Sequence, residues 1–190
     1  MSNTLLESVV KKNRARLIPF MLALYVLAFL DRSNIGFAKE TYQLDTGLSN
    51  EAYALGAGIF FVVYAFLGVP ANLLMRKFGA RKWIGCTTLL WGLLSAAMAW
   101  ADTEAKFLLV RTLLGAAEAG FFPGMIYLTS QWFPQQNRAS IMGLFYMGAP
   151  LALTLGSPLS GALLEMHGFM GHPGWFWMFI IEAVSYTHLR

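Results

Sequence analysis

The stretch AYALGAGIFFVVYAFLGVPANLLM, residues 52–75, holds no charged side chain. As a helix rising ~1.5 Å per residue it reaches roughly 36 Å, enough to cross a hydrocarbon core of ~30 Å. Outward from it, uncharged runs recur at 83–101, 119–137 and 139–164. Apolar runs of this length read as membrane-spanning helices. The bulk composition agrees: hydrophobic residues make up 57% of the 190-residue chain and charged residues 13%. A soluble domain carries about 25% charged residues. The chain therefore reads as an all-α, polytopic membrane protein, which excludes a disulfide-stapled, disordered or nucleic-acid-binding one.

The formal net charge is +4, from 14 basic and 10 acidic residues, and its placement matters more than its size. Lys11, Lys12, Arg14 and Arg16 form one cluster, Arg76, Lys77, Arg81 and Lys82 another, and Arg138 stands alone in a third connection. Lys39 and Lys106 share their loops with Glu40, Asp45, Glu51, Asp102 and Glu104, and Glu165 lies in another such loop. Basic residues flanking spans mark the cytoplasmic side. The sequence thus predicts a cytoplasmic N-terminus, cytoplasmic connections at 76–82 and 131–138, and outer loops at 39–51 and 165–174.

Residues 1–16 read as a basic cytoplasmic arm, and 17–184 as a bundle with spans near 17–38, 52–75, 83–101, 105–130 and 141–164. The first is a retained span, since no small-residue cleavage site follows it. A sixth span starts at Trp175 and Trp177, placed like interfacial anchors, but only ~15 Å of apolar helix precedes Ser185. The sixth helix is thus expected to be truncated, with 185–190 a polar tail left by a cut within the span or by residues outside the native reading frame. Cys86, the single cysteine, reads as a packing residue inside a span. His167 and His172 lack companions at metal-ligand spacing, so no metal is expected.

A three-span repeat is visible. Asp31 and Glu118 lie 87 residues apart, and Gly68-Val69-Pro70 and Gly156-Ser157-Pro158 lie 88 apart. Secondary transporters nest three-helix repeats in this way.

Chemistry at membrane depth requires ionisable groups, which are expensive there and normally face a cavity or a partner. Asp31 and Arg32 fall in span 1; Arg111 and Glu118 fall in span 4, on one helical face. An arginine that can leave a carboxylate for an anionic substrate makes a proton-coupling device, because the freed acid can then hold a proton. Arginine suits the task through its permanent charge and bidentate grip. In span 2, Tyr53, Phe60, Phe61 and Tyr64 read mainly as packing aromatics, with the Tyr64 hydroxyl available to a polyhydroxylated ligand. No nucleophile–base set, nucleophile elbow or phosphate-cradling loop is present, so the chain is not read as an enzyme.

The segment GVPANLLMRKFGARK (68–82) resembles the signature between the second and third helices of the major facilitator superfamily, and RTLLGAAEAGFFPG (111–124) its fourth-helix signature. LDRSN (30–34), QWFP (131–134), Arg138-Ala139 and GWFW (174–177) are similar to its anion:cation symporter branch, and within it to bacterial sugar-acid permeases, most closely to L-rhamnonate transporters. The resemblance covers about 17–184 and implies the N-terminal six-helix half of a transporter that imports a small organic anion by proton symport across a bacterial inner membrane. It implies substrate contacts at Arg32, Asn34 and Tyr64, proton coupling through Asp31, Glu118 and Arg111, and a gating motif at Gly68, Arg76, Gly79, Arg81 and Lys82. One departure stands out: Arg76 occupies a place where the signature carries an acid. No cofactor is implied beyond the proton gradient. Partners are the substrate anion, protons, the bilayer and a missing C-terminal half. The alternatives are a truncated, non-transporting membrane fragment, or a carrier for an aromatic or dicarboxylic acid.

Overall fold

The computed structural model describes residues 3–187, with side-chain surroundings from 7 to 184. Among these residues there are nine α-helices and no strand: α1 (Asn3–Phe37), α2 (Lys39–Thr46), α3 (Asn50–Phe78), α4 (Ala80–Ala97), α5 (Glu104–Glu118), α6 (Phe121–Trp132), α7 (Gln135–Tyr146), α8 (Gly148–Leu164) and α9 (Gly174–Thr187). Five stretches are long and apolar enough to cross a membrane: Glu7–Phe37, Asn50–Phe78, Ala80–Trp100, Glu104–Trp132 and Gln135–Leu164. They match the five full spans expected. The residues read as a separate arm belong, from Asn3 on, to α1 itself. The side chains of the tail expected at 185–190 lie outside the described residues.

Local chemistry sets the ends. The Ser49 hydroxyl accepts the Ala52 amide at 3.1 Å and so caps α3. Gly79 ends α3 at φ 86°, a conformation that glycine adopts without strain. Spans 4 and 5 are each bent into two helices, at Ala119–Gly120 and at Met147. Pro123 and Pro150 lie just after the breaks and can offer no amide to the carbonyls of Ala119 and Tyr146.

The helices pair as a repeat demands. If each span corresponds to the one three later, a contact of spans 1 and 5 maps onto one of spans 4 and 2, and a contact of spans 3 and 6 maps onto itself. The three most extensive pairings are α3 with α5, α1 with α8 and α4 with α9, which are those pairs. Glycine makes the approaches possible. A Cβ on Gly115 would stand 2.4 Å from the Phe60 carbonyl oxygen, and one on Gly156 2.5 Å from Leu30 Cδ2.

Aromatic packing fills the core. Tyr25 stacks on Phe145 at 4.2 Å, and Tyr53 on Phe107 at 5.2 Å. Outward, Phe66, Val69, Leu73 and Leu93 are exposed, the apolar surface of a bundle that meets lipid or another helical half. Cys86 also faces outward rather than packing in the core.

Candidate functional site

Asp31 and Arg32 are neighbours on α1 yet serve different partners. Asp31 is buried and accepts a hydrogen bond from the Ser95 hydroxyl of α4. Arg32 reaches across the bundle to Glu118 at the end of α5, with Nε at 3.0 Å and Nη2 at 2.9 Å from Oε2. The two side chains differ in access: Glu118 is 0% exposed and Arg32 16%. The arginine is therefore the more accessible member of the pair.

Aromatic rings hold the guanidinium in place. Arg32 Cζ lies 4.8 Å from the Tyr64 ring centre and 5.7 Å from Phe60. Phe60 also meets Arg111, whose Cζ lies 4.5 Å from the same ring. Such contacts with a desolvated cation contribute about 1–2 kcal/mol. Arg111 Nε donates to the Gly56 carbonyl at 3.1 Å, and the missing Cβ of Gly56 makes room for the Phe107 ring, which would stand 2.1 Å from it. The direct partner of Glu118 is thus Arg32, while the Arg111 charge acts first on Asp31 and then on Glu118. Asp31 and Glu118 also face each other, and each keeps one carboxyl oxygen without a hydrogen-bond donor.

Asn34 lies one turn beyond Asp31 and is fully buried. Its amide donates to Glu182 Oε2 of α9 at 2.5 Å, so it is turned to span 6 and away from Arg32 and Tyr64. Glu182 itself is 3% exposed. Sequence reasoning passed over it. The signal was present, because it is the one charged residue in the apolar run 174–184, and it stands 87 residues after Ser95, the offset that relates Asp31 to Glu118. Phe60, read as packing, proves to lie within cation–π reach of two arginines.

The motif residues sit away from this cluster. Gly68 brings α3 within reach of the Ala119 backbone. Arg76 is exposed and lies over Tyr127 of α6 at 5.9 Å, so the position where an acid was expected contacts α6 by a cation–π interaction. Arg81 and Lys82 are exposed beyond Gly79. Arg138 closes α6, donating to the carbonyls of Phe133 at 2.9 Å and Ser130 at 2.7 Å.

Known proteins extend this picture. The chain is 91% identical over 184 residues to the inner membrane transport protein RhmT of Escherichia coli, covering 97% of this chain and 43% of that protein. It is 51% identical to an Agrobacterium vitis protein whose name proposes it as a tartrate transporter, covering 96% of this chain and 40% of that one. The chain thus spans less than half the length of these relatives. Its fold matches a bacterial homologue of the human lysosomal transporter Spinster, in an inward-facing and occupied conformation, with a TM-score of 0.84 at 20% identity over 93% of this chain and 43% of the other. The family profile described as Major Facilitator Superfamily matches residues 21–187, and the chain belongs to that family of transporters.

Proposed function

We propose that this chain forms the N-terminal half of a proton-coupled importer of small organic anions, sugar acids such as L-rhamnonate in particular. The observation that carries the reading is the buried Arg32–Glu118 pair, with its arginine partly accessible and its acid sealed. A substrate carboxylate that takes over the Arg32 fork leaves Glu118 uncompensated in an apolar interior, where an isolated charge is costly. A proton on Glu118 or Asp31 removes that cost and supplies the donor that their open oxygens lack. Anion and proton thus favour each other's binding, which is the thermodynamic content of symport.

In this half Arg32 is the reachable arginine, since Arg111 is 2% exposed and engaged with Gly56. One cation suits one carboxylate, so a monocarboxylic sugar acid fits better than a dicarboxylate held from this side alone. The Tyr64 hydroxyl, which meets Arg32 and the Phe122 backbone, offers a contact to substrate hydroxyls. Arg111 is proposed to act on Asp31 through its charge alone. Asn34 is proposed to act through Glu182 rather than by touching substrate. The motif Gly68, Arg76, Gly79, Arg81 and Lys82 is proposed to control the cytoplasmic entrance, with Arg76 in a helix–helix contact in place of an acid. The second half and residence in a bacterial inner membrane belong to the same proposal.

The test uses a full-length chain that joins these residues to a second half such as that of the E. coli relative. In vesicles, Glu118→Gln keeps L-rhamnonate counterflow but accumulates less substrate for a given pH gradient. Full accumulation by that variant overturns Glu118 as a proton carrier and makes Asp31 the next residue to change.

A further inference from the structure

The bundle interior has a charge imbalance. Its buried or nearly buried ionisable side chains are Asp31, Glu118 and Glu182 against Arg32 and Arg111. Both arginines are committed, one to Glu118 and the other to Gly56 and the Phe60 ring. Glu182 has no cation beside it among the described residues. Three acids and two arginines leave one negative charge in excess, and an apolar interior does not hold an unpaired charge without several kcal/mol of desolvation. One proton restores neutrality.

The hydrogen bonds around Glu182 indicate where that proton fits. The Asn34 amide of α1 donates to Glu182 Oε2 at 2.5 Å. The Ser160 hydroxyl of α8 lies 3.4 Å from Glu182 Oε1 and 3.5 Å from the Asn34 carbonyl oxygen. A hydroxyl carries one proton and cannot donate to both acceptors. With Glu182 ionised, either Oε1 or the Asn34 oxygen goes without its donor. With a proton on Oε1, every contact is satisfied in one direction: Glu182 donates to Ser160, Ser160 to the Asn34 oxygen, and the Asn34 amide returns to Oε2. The three residues are all at most 3% exposed, so no water stands in for the missing donor from bulk.

We infer that Glu182, Asn34 and Ser160 form a second proton-binding site, and that its proton is one of those carried in the transport cycle. This rests on the proposed proton-coupled function and deepens it. The ring joins spans 1, 5 and 6, so ionisation of Glu182 loosens the contact of α9 with both. Asp31 is the titratable group whose charge acts on Glu182, and it lies one turn from Asn34 on the same helix. Among the described residues no titratable group faces Glu182 from α4, where Ser95 occupies the repeat-related position, or from α8, which presents the Ser160 hydroxyl. Substrate binding at Arg32 therefore reaches Glu182 through Asp31. The step is proton transfer alone: an O–H bond forms at Glu182 with a proton from outside water and breaks with release to the inside.

Each coupled proton multiplies the equilibrium accumulation of substrate by about ten for every pH unit of gradient. The measurement is L-rhamnonate accumulation against imposed pH gradients, at zero membrane potential, in vesicles holding the full-length transporter. Glu182→Gln should lower the accumulation by roughly tenfold per pH unit relative to wild type, and Glu182→Asp should restore the slope, with counterflow measured in parallel as the sign of a folded protein. A wild-type slope in Glu182→Gln, alongside a lowered one in Glu118→Gln, overturns the second site and leaves the symport reading standing. No slope in wild type overturns the symport reading itself. Should Glu182→Gln fail to insert, infrared difference spectra of the wild type across pH decide: a carboxylic acid band that shifts in Glu182→Asp supports the site, and a spectrum unchanged by that substitution overturns it.

Discussion

Arg32 and Arg111 carry the same charge, but access divides their work. Arg32 is the more accessible of the two and the proposed substrate contact, so its geometry should matter most. Arg32→Lys keeps the charge and loses the two-pronged fork, and L-rhamnonate binding should weaken by about 1.5–3 kcal/mol, read by titration binding in detergent. Outside the spans, Tyr42 of α2 donates to the Ala101 carbonyl and is buried among Tyr53, Phe107 and Trp175. Tyr42→Phe leaves that carbonyl without a donor and should cost about 1–3 kcal/mol of stability. Burial, then nearby Tyr53 and Asp102, pushes the Tyr42 phenol above its ordinary range. A raised value in the folded state means this contribution is present below pH ~10 and is lost as pH rises beyond it, so alkaline melting should be blunted in Tyr42→Phe. At this scale the sequence was readable wherever a charge interrupts an apolar run, which is how Asp31, Arg32, Arg111 and Glu118 were found. Glu182 obeys the same rule at the edge of a short run. The pairing was not readable, because spacing along one helix places Arg111 and Glu118 on a common face and says nothing of an arginine that arrives from α1.

Between elements, the narrowest approach is α3 against α5 at Gly115. Gly115→Ala must move the Phe60 backbone, because the new Cβ would lie 2.4 Å from a carbonyl oxygen rather than from a yielding side-chain tip. Overpacking of this kind costs roughly 1–3 kcal/mol. It should also disturb both arginines, since each contacts the Phe60 ring. Gly161→Ala, whose Cβ enters open space, is the matched control and should melt within a degree or two of wild type. Thermal unfolding in detergent separates the two. The existence and number of full spans followed from uncharged length, and the repeat from two offsets, because both are properties of the chain read linearly. The bends were not legible. Pro123 and Pro150 lie at breaks, while Pro70 and Pro158 sit inside continuous helices, so proline permits a bend and packing decides whether one forms.

The whole bundle sorts its loops to two ends. At one, Glu7, Lys11 and Arg14 of α1 line a shared cleft with Pro134, Gln136 and Asn137. At the other, Trp175 donates to Asp45 at 2.7 Å and Tyr42 to Ala101, tying together the connections after spans 1, 3 and 5. The basic clusters at Lys11–Arg16 and Arg76–Lys82 belong to the first end by connectivity, as does Arg138, and the acids Glu40, Asp45 and Asp102 to the second. Retention of basic residues on the cytoplasmic side predicts that the first end lies inside. An introduced cysteine reports this directly. Asp45 is a poor position for it, because its carboxylate holds Trp175, whereas Leu44 is 84% exposed and contributes nothing to the core. Cys86 is exposed and must first be removed as Cys86→Ala. In a full-length chain in intact cells, Leu44→Cys should then react with a membrane-impermeant maleimide, while Gln136→Cys should react only after permeabilisation. The reverse pattern inverts the orientation, and reaction of both in intact cells would mean that the two ends do not lie on opposite faces of one membrane.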